Sequence, residues 1–313
     1  MQYTGRIVFW ALLSFPVGCE SSNHSSSWSA SLFGIAIHDI AITEQVVWLA
    51  TDEGLIRIEA TDTVTYSPVN SPIMTYNITT VEVDSKGRVW FGDGTEGLMI
   101  FDGLQWSRLY SFNSRLTSKV ISDIVFEDSL VWLAAGAAVA RLTPNDTLIY
   151  TAESAPLPSS PIVALDVVTP GELWIASFGG GVIRKKGNQW TTFTTANSSI
   201  RNNSIFDVTH GPDGRVWVGE GGGLDEYDGQ HWTNYNSLNS PLPQNDVTAI
   251  SVSNNNRVWM GMYEGGVTSL SGNHWTIYNV TNSSVPSQRV LSMGIDANGR
   301  IWAGTPLGLA VFR

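Results

Sequence analysis

The sequence predicts an all-β fold. The fold is a seven-bladed β-propeller with four antiparallel strands per blade, its ring closed by an N-terminal strand that completes the last blade. Three observations predict it. First, a tryptophan returns as Trp48, Trp90, Trp132, Trp174, Trp217, Trp259 and Trp302, in steps of 42, 42, 42, 43, 42 and 43 residues. Second, each tryptophan sits in the same frame of short apolar runs and turn residues; a four-stranded unit repeating every ~40–45 residues is a propeller blade. Third, the last copy carries three strands before Arg313, while Trp28 stands alone ahead of the first. A strand from one end completing a blade at the other removes exposed edges; an open solenoid needs capping units instead.

Each unit opens on an inner strand patterned apolar-x-x-apolar-x-apolar. The copies are Ile37, Ile40, Ile42; Ile78, Val81, Val83; Ile121, Ile124, Phe126; and Ile162, Leu165, Val167. Ile205, Val208, His210; Val247, Ile250, Val252; and Val290, Met293, Ile295 follow. Hairpin turns such as DSKG, GPDG and DANG come next, rich in residues that turns prefer. Then comes the tryptophan strand. Two residues after each tryptophan stands Ala or Gly, and positions i and i+2 share a face of a strand. A large ring beside a small neighbour suits sheets that crowd toward an axis. Gly54, Gly97, Gly180, Gly223, Gly265 and Gly308 mark the turn to a third strand, where positive φ is expected. An outer strand follows, with Trp106, Trp190, Trp232 or Trp275. Units two, four and six carry one extra residue after the tryptophan, in FGDGTEGL, IASFGGGV and MGMYEGGV.

Along the chain, residues 1–18 read as an export signal, with Arg6 ahead of the apolar run IVFWALLSFPV. That run is shorter than the ~20 residues of a membrane span. Gly18–Cys19 followed by ESSNHSSS resembles a bacterial lipoprotein signal, although Pro16 stands where leucine is usual. The resemblance implies lipidation of Cys19, residues 19–27 as a flexible tether, and a lipid anchor at the cell envelope. Residues 28–313 form the propeller, with 28–33 as its closing strand. Cys19 is the sole cysteine, so no intrachain disulfide is possible.

Charged residues make up 14% of the chain, below the ~25% usual for soluble domains. Net charge is −11 with 17 Lys and Arg spread thinly, which argues against a nucleic-acid partner.

The stretches SPLPQNDVTAISVSNNNRVWMGMYEGGV, NSRLTSKVISDIVFEDSLVWLAAGAAV and NSSVPSQRVLSMGIDANGRIWAGTPLGLAVF resemble the two-component regulator propeller repeat. The resemblance runs from about residue 37 to 313. It implies a β-propeller outside the cytoplasm, often the sensing half of a membrane-bound histidine kinase. These 313 residues carry no internal span, kinase or DNA-binding pattern, so phosphorelay signalling is not carried over. The family supplies no catalytic residues to map.

Candidate site residues fall in two places. Between the apolar positions of the inner strands lie residues expected to point to the axis. Asp39, Asp123 and Asp207 are in the upper ring, and Glu82 and Asp166 in the next. Carboxylates at such density suit a hard cation such as Ca²⁺ or a basic group, or they accept backbone N–H bonds and line a water-filled channel. The loop rim offers Phe178, Glu220, Tyr263 and Glu264 after the tryptophans, and Arg201 in a longer connection. Binding sites concentrate on loops held by rigid scaffolds. The five histidines suggest no dyad, and zinc spacing, G-x-S-x-G and a phosphate loop are absent. The expected function is therefore non-catalytic recognition of a glycan, peptide or surface protein on one face. The competing readings are a channel-mouth lyase or hydrolase and a detached sensor.

Overall fold

The computed structural model describes residues 27–60, 62–95, 97–110 and 118–313. The export signal, tether and Cys19 lie outside these residues, as do Glu96, Phe112 and Arg115 of the rim loops. The described residues form seven four-stranded antiparallel sheets and no helix, so none could cross a membrane as a helix. The first strands lie innermost: Ile37–Ile42, Ile78–Val83, Ile121–Glu127, Ile162–Thr169, Ile205–His210, Val247–Val252 and Ser292–Ile295. Each touches the next, and Ser292–Ile295 touches Ile37–Ile42, so the blades form a closed ring.

Trp28–Ser31 supplies the outer strand of the seventh blade. It pairs antiparallel with Gly308–Phe312, Trp28 opposite Phe312 and Ser31 opposite Leu309. The strand stops two residues short of the expected 28–33, because Leu32 takes a left-handed backbone (φ 52°) and turns the chain. Trp28 packs edge-on against Trp259 and Tyr278 and tilts over Phe312, with centroids 6.4, 5.7 and 5.3 Å away.

Apolar-x-x-apolar breaks the two-residue alternation of a strand. A β-bulge accounts for it. Ile37 pairs with Thr51 but Asp39 with Ala50, which leaves His38 as the extra residue. The same slip recurs in the next five blades, between 78 and 80, 121 and 123, 162 and 164, 205 and 207, and 247 and 249. The bulge lets every apolar residue of the pattern reach a buried or half-buried place.

Those places lie between blades. Trp48, Ala50 and Leu55 of the first blade pack on Ile78, Val81 and Phe91 of the second. On its other side, Ile37, Leu49 and Ile56 meet Trp302, Leu309 and Val311 of the seventh. Both faces of every sheet are thus spent on neighbours, and what the ring turns to its axis is the free edge of the inner strand. The small residue after each tryptophan makes the close approach possible. A Cβ on Gly219 would lie 2.5 Å from the Val247 carbonyl oxygen, and one on Gly304 2.8 Å from that of Ile37. In the fourth and sixth blades the positive-φ turn glycine is Gly181 (φ 80°) and Gly266 (φ 76°). The expected Gly180 and Gly265 fall one residue early, because the extra loop residue precedes the turn.

The connections between blades repeat a further device. Asn70, Asn197, Asn239 and Asn282 each accept the amide three residues earlier and donate to the carbonyl five residues earlier. Three residues on, Ile73, Ile200, Leu242 and Val285 are buried between blades. These staples hold the rim loops close to the ring.

Candidate functional site: channel and upper rim

The inner strands expose unpaired N–H groups to the channel, and the channel aspartates accept them. Asp39 takes the Ile40 amide on one oxygen, and on the other the Thr80 hydroxyl and the Val81 amide of the next blade, at 2.8–2.9 Å. Asp123 joins Ile124 to Leu165 at 2.7 and 2.6 Å. Asp207 joins Val208 to Ile250 at 2.8 and 2.6 Å. The aspartates therefore lean along the ring toward the next blade, not straight at the axis as expected. The reason is that the side chains of a strand leave through its sheet faces, and here those faces meet blades.

The remaining boundaries are bridged in other ways. Thr79 and Thr248 donate to the Ile121 and Val290 carbonyls at 2.7 Å. Ser292 donates to the Ile37 carbonyl at 3.4 Å. Between the fourth and fifth blades, Asp166 Oδ2 lies 2.7 Å from His210 Nδ1. This is a His-containing dyad that the sequence did not suggest, formed because adjacent inner strands bring Asp166 and His210 side by side. Every boundary of the ring thus carries a channel-side clip.

Burial pushes the channel acids upward in pKa. Asp207 and Glu82 reach about 7, Asp123 rises well above the ordinary value, and Asp39 and Asp166 rise as well. For Asp123, burial is followed by the charge of Asp39 across the channel. No group of three or more His, Cys, Asp or Glu side chains placed to hold a metal ion occurs among the described residues.

The second rim of candidates lies where the longer loops meet. The loop after the second strand and the connection from the previous blade share one end of the ring. Phe178 N–H donates to the Pro161 carbonyl at 2.9 Å, and Tyr263 N–H to that of Asp246 at 3.0 Å. Phe178 is 49% exposed and tilts against Phe206 of the next inner strand, centroids 5.8 Å apart. Phe206 was not singled out from the sequence; its signal was an aromatic ring at the bulge position. Tyr263 is 43% exposed, with the Arg289 guanidinium 4.6 Å from its ring centroid. Glu264 opens on a pocket of about 460 Å³ shared with Pro243, Gly265, Asn279 and Gln288. Phe33 and Tyr76 belong to the same rim and are 72% and 45% exposed.

Arg201 is exposed at the neighbouring boundary, where its backbone N–H approaches Asp225 at 3.4 Å. Glu220 is not a rim group. It is the last residue of its strand, wholly buried, with one oxygen on the Asn202 amide at 2.6 Å. Its other oxygen has no donor and faces the buried Asp225, which stands where the other blades carry Ile56, Met99, Ala140, Ile183, Thr268 or Ala310. Burial and then mutual repulsion raise the Glu220 carboxyl, and burial raises that of Asp225. A shared proton would satisfy the pair.

Ring, clips and rim together define the class: a seven-bladed β-propeller that holds variable loops on a rigid wheel. No protein-family model matches the sequence, and no curated protein matches it. Solved structures share the fold. The extracellular domain of the putative hybrid two-component system BT3049 from B. thetaiotaomicron superposes with TM-score 0.73 at 18% identity, over 89% of this chain and 41% of that one. The chain therefore spans well under half the length of that domain. A catalytically inactive virginiamycin B lyase from Staphylococcus aureus, solved with quinupristin, gives 0.73 at 14% identity over 91% and 98% of the two chains. YCF48 bound to D1 peptide gives 0.68 at 15% over 93% and 96%. At such identities the likeness establishes the fold, which hosts unrelated activities.

Proposed function

We propose that this protein is a non-catalytic recognition module. It is exported, held at a bacterial cell envelope through Cys19, and binds a glycan, peptide or surface protein on its upper rim. One observation carries the reading: the rim presents half-exposed rings, Phe178 and Tyr263, on the longer loops of alternate blades, whereas the four channel aspartates are engaged in clips between blades and Glu82 accepts the Val83 amide of its own strand. Aromatic anchors on loops fixed by a scaffold are the usual chemistry of binding faces. The propellers sharing this fold include an extracellular domain of a two-component system and a protein bound to a peptide, which is consistent with an exported binding role. The reading requires no metal.

The Asp166–His210 pair favours a second reading, an enzyme working in the channel, and a lyase is among the structures that share the fold.

The test is a screen of the full chain against peptide and glycan arrays, followed by variants. The double variant Phe178→Ala/Tyr263→Ala is expected to lose binding, and Leu104→Ala, on the opposite rim, to keep it. Loss on Leu104→Ala alone, or turnover of a bound compound that vanishes with His210→Ala, would overturn the reading.

A further inference from the structure

We infer that the pocket beside Tyr263 is a subsite for a neutral saccharide, an inference that rests on the rim-binding reading above. The pocket lies between the loop of the sixth blade and the connection entering the seventh. Its volume of about 460 Å³ falls within the roughly 300–1,000 Å³ of small-ligand sites.

Three of the five lining residues, Glu264, Asn279 and Gln288, carry polar side chains. Glu264 and Gln288 are exposed and have no side-chain hydrogen bond within the described residues. Asn279 Oδ1 accepts the Thr281 amide and hydroxyl, at 2.9 and 2.6 Å, which leaves its Nδ2 as a donor. A carboxylate and two primary amides are planar groups that pair with vicinal hydroxyls.

The floor is fixed in advance. The amides of Gly265 and Gly266 both donate to the Gln288 carbonyl, at 3.0 and 2.7 Å, tying the two loops together. Such preorganisation spares a ligand the cost of ordering the loop. Beside the floor stands the half-exposed Tyr263 ring. Arg289 stacks on the ring at 4.6 Å and holds it in place, and the 43% of Tyr263 that is exposed is available to the C–H face of a pyranose.

Charge selects among sugars. The Glu264 carboxylate is offset by Arg289 on Tyr263, so the subsite has no net charge to attract an acidic sugar, and the chain carries net charge −11. Anionic sugars are repelled, and uncharged ones are not.

The experiment screens the full chain against arrays of neutral oligosaccharides, acidic oligosaccharides and peptides. The strongest neutral hit is then titrated by calorimetry against Tyr263→Ala, Gln288→Ala and Phe178→Ala, each checked for an unchanged melting profile. The expected result is a neutral hit whose affinity falls at least about tenfold in the first two variants and is kept within about twofold in a further control, Leu104→Ala on the opposite rim. Binding lost with Phe178→Ala but unaffected by the other two would overturn the subsite and leave the rim reading standing, as would binding of peptides or acidic sugars alone. Absence of any hit in all three arrays would overturn both.

Discussion

Asp166 and His210 meet at 2.7 Å across the boundary of the fourth and fifth blades, and theirs is the one channel-side clip made by two titrating side chains. Elsewhere an acid or hydroxyl binds the next blade directly through its backbone. Val163 occupies the bulge position where Thr79 and Thr248 form their clips, so this boundary has no hydroxyl alternative. The bond to Asp166 raises His210 above the ordinary histidine value, against burial, which lowers it. A raised histidine contributes stability that is complete below about 6.5 and is lost as pH rises through the folded value. The His210 ring resonances are therefore expected to titrate above 6.5 and to fall back in Asp166→Asn. A midpoint unchanged by that substitution would show that the pair does not interact in solution.

The Glu220–Asp225 pair predicts the pH dependence of folding. Its two values are pushed up to about 8 and about 6, above those of the unfolded chain. Carboxyls raised in the folded state bind protons that the unfolded chain has released, so stability falls as pH rises through the window from about 4.5 to 8. Glu82 and Asp207, both near 7, add to the slope. Asp225→Asn is expected to flatten part of the decline in a urea midpoint series from pH 5 to 8. A wild-type midpoint that rises across this range would refute the buried-pair description.

Asp207→Asn tests a clip. The Asp207 carboxylate accepts the Val208 and Ile250 amides on separate oxygens. An amide group keeps one acceptor and turns an N–H toward the other donor. Leaving a buried donor unsatisfied costs about 1–3 kcal/mol. At about 2–4 °C per kcal/mol for a domain of comparable size, a melting temperature several degrees lower is expected. Above pH 7 the substitution also removes a charge that burial disfavours, so the loss should be largest near pH 4 and smallest above pH 7.

Gly304→Ala should destabilise through backbone crowding. The added Cβ would stand 2.8 Å from the Ile37 carbonyl oxygen in the adjoining blade. Overpacking of this kind typically costs about 1–3 kcal/mol, readable as a lower denaturant midpoint. Trp28→Ala removes a buried ring from the closing strand and should cost about 3–5 kcal/mol. Limited proteolysis would then cut first near residues 27–32.

The wheel was legible because its signals are local and repeated. Seven tryptophans with small neighbours at i+2 and turn residues at fixed offsets report contacts that recur from blade to blade, and the lone Trp28 reports the one strand that closes the ring. The bulge is written in apolar-x-x-apolar-x-apolar, yet the residues between the apolar positions were all assigned to the axis, Asp39, Asp123 and Asp207 among them. The buried Glu220 was mistaken for a rim group because its partner, Asp225, is a polar residue at an otherwise mainly apolar position. Asp166 and His210 lie 44 residues apart, and their meeting follows only from the juxtaposition of successive inner strands. The Asn staples of the connections were not singled out, although Asn-Ser-x-aliphatic recurs at Ile73, Ile200, Leu242 and Val285.

The pairing of Trp28–Ser31 with Gly308–Phe312 also fixes a geography of attachment. The strand climbs from Trp28 toward Leu32, which sits by Leu307 at the crown that bears Tyr263, while the strand beside it descends to Phe312. Ser27 and Arg313 therefore share the underside of the wheel, joined at 2.9 Å. Anything spliced ahead of Ser27 or behind Arg313 departs from that underside, so a leash or a reporter grafted at either place leaves the crown free to face outward.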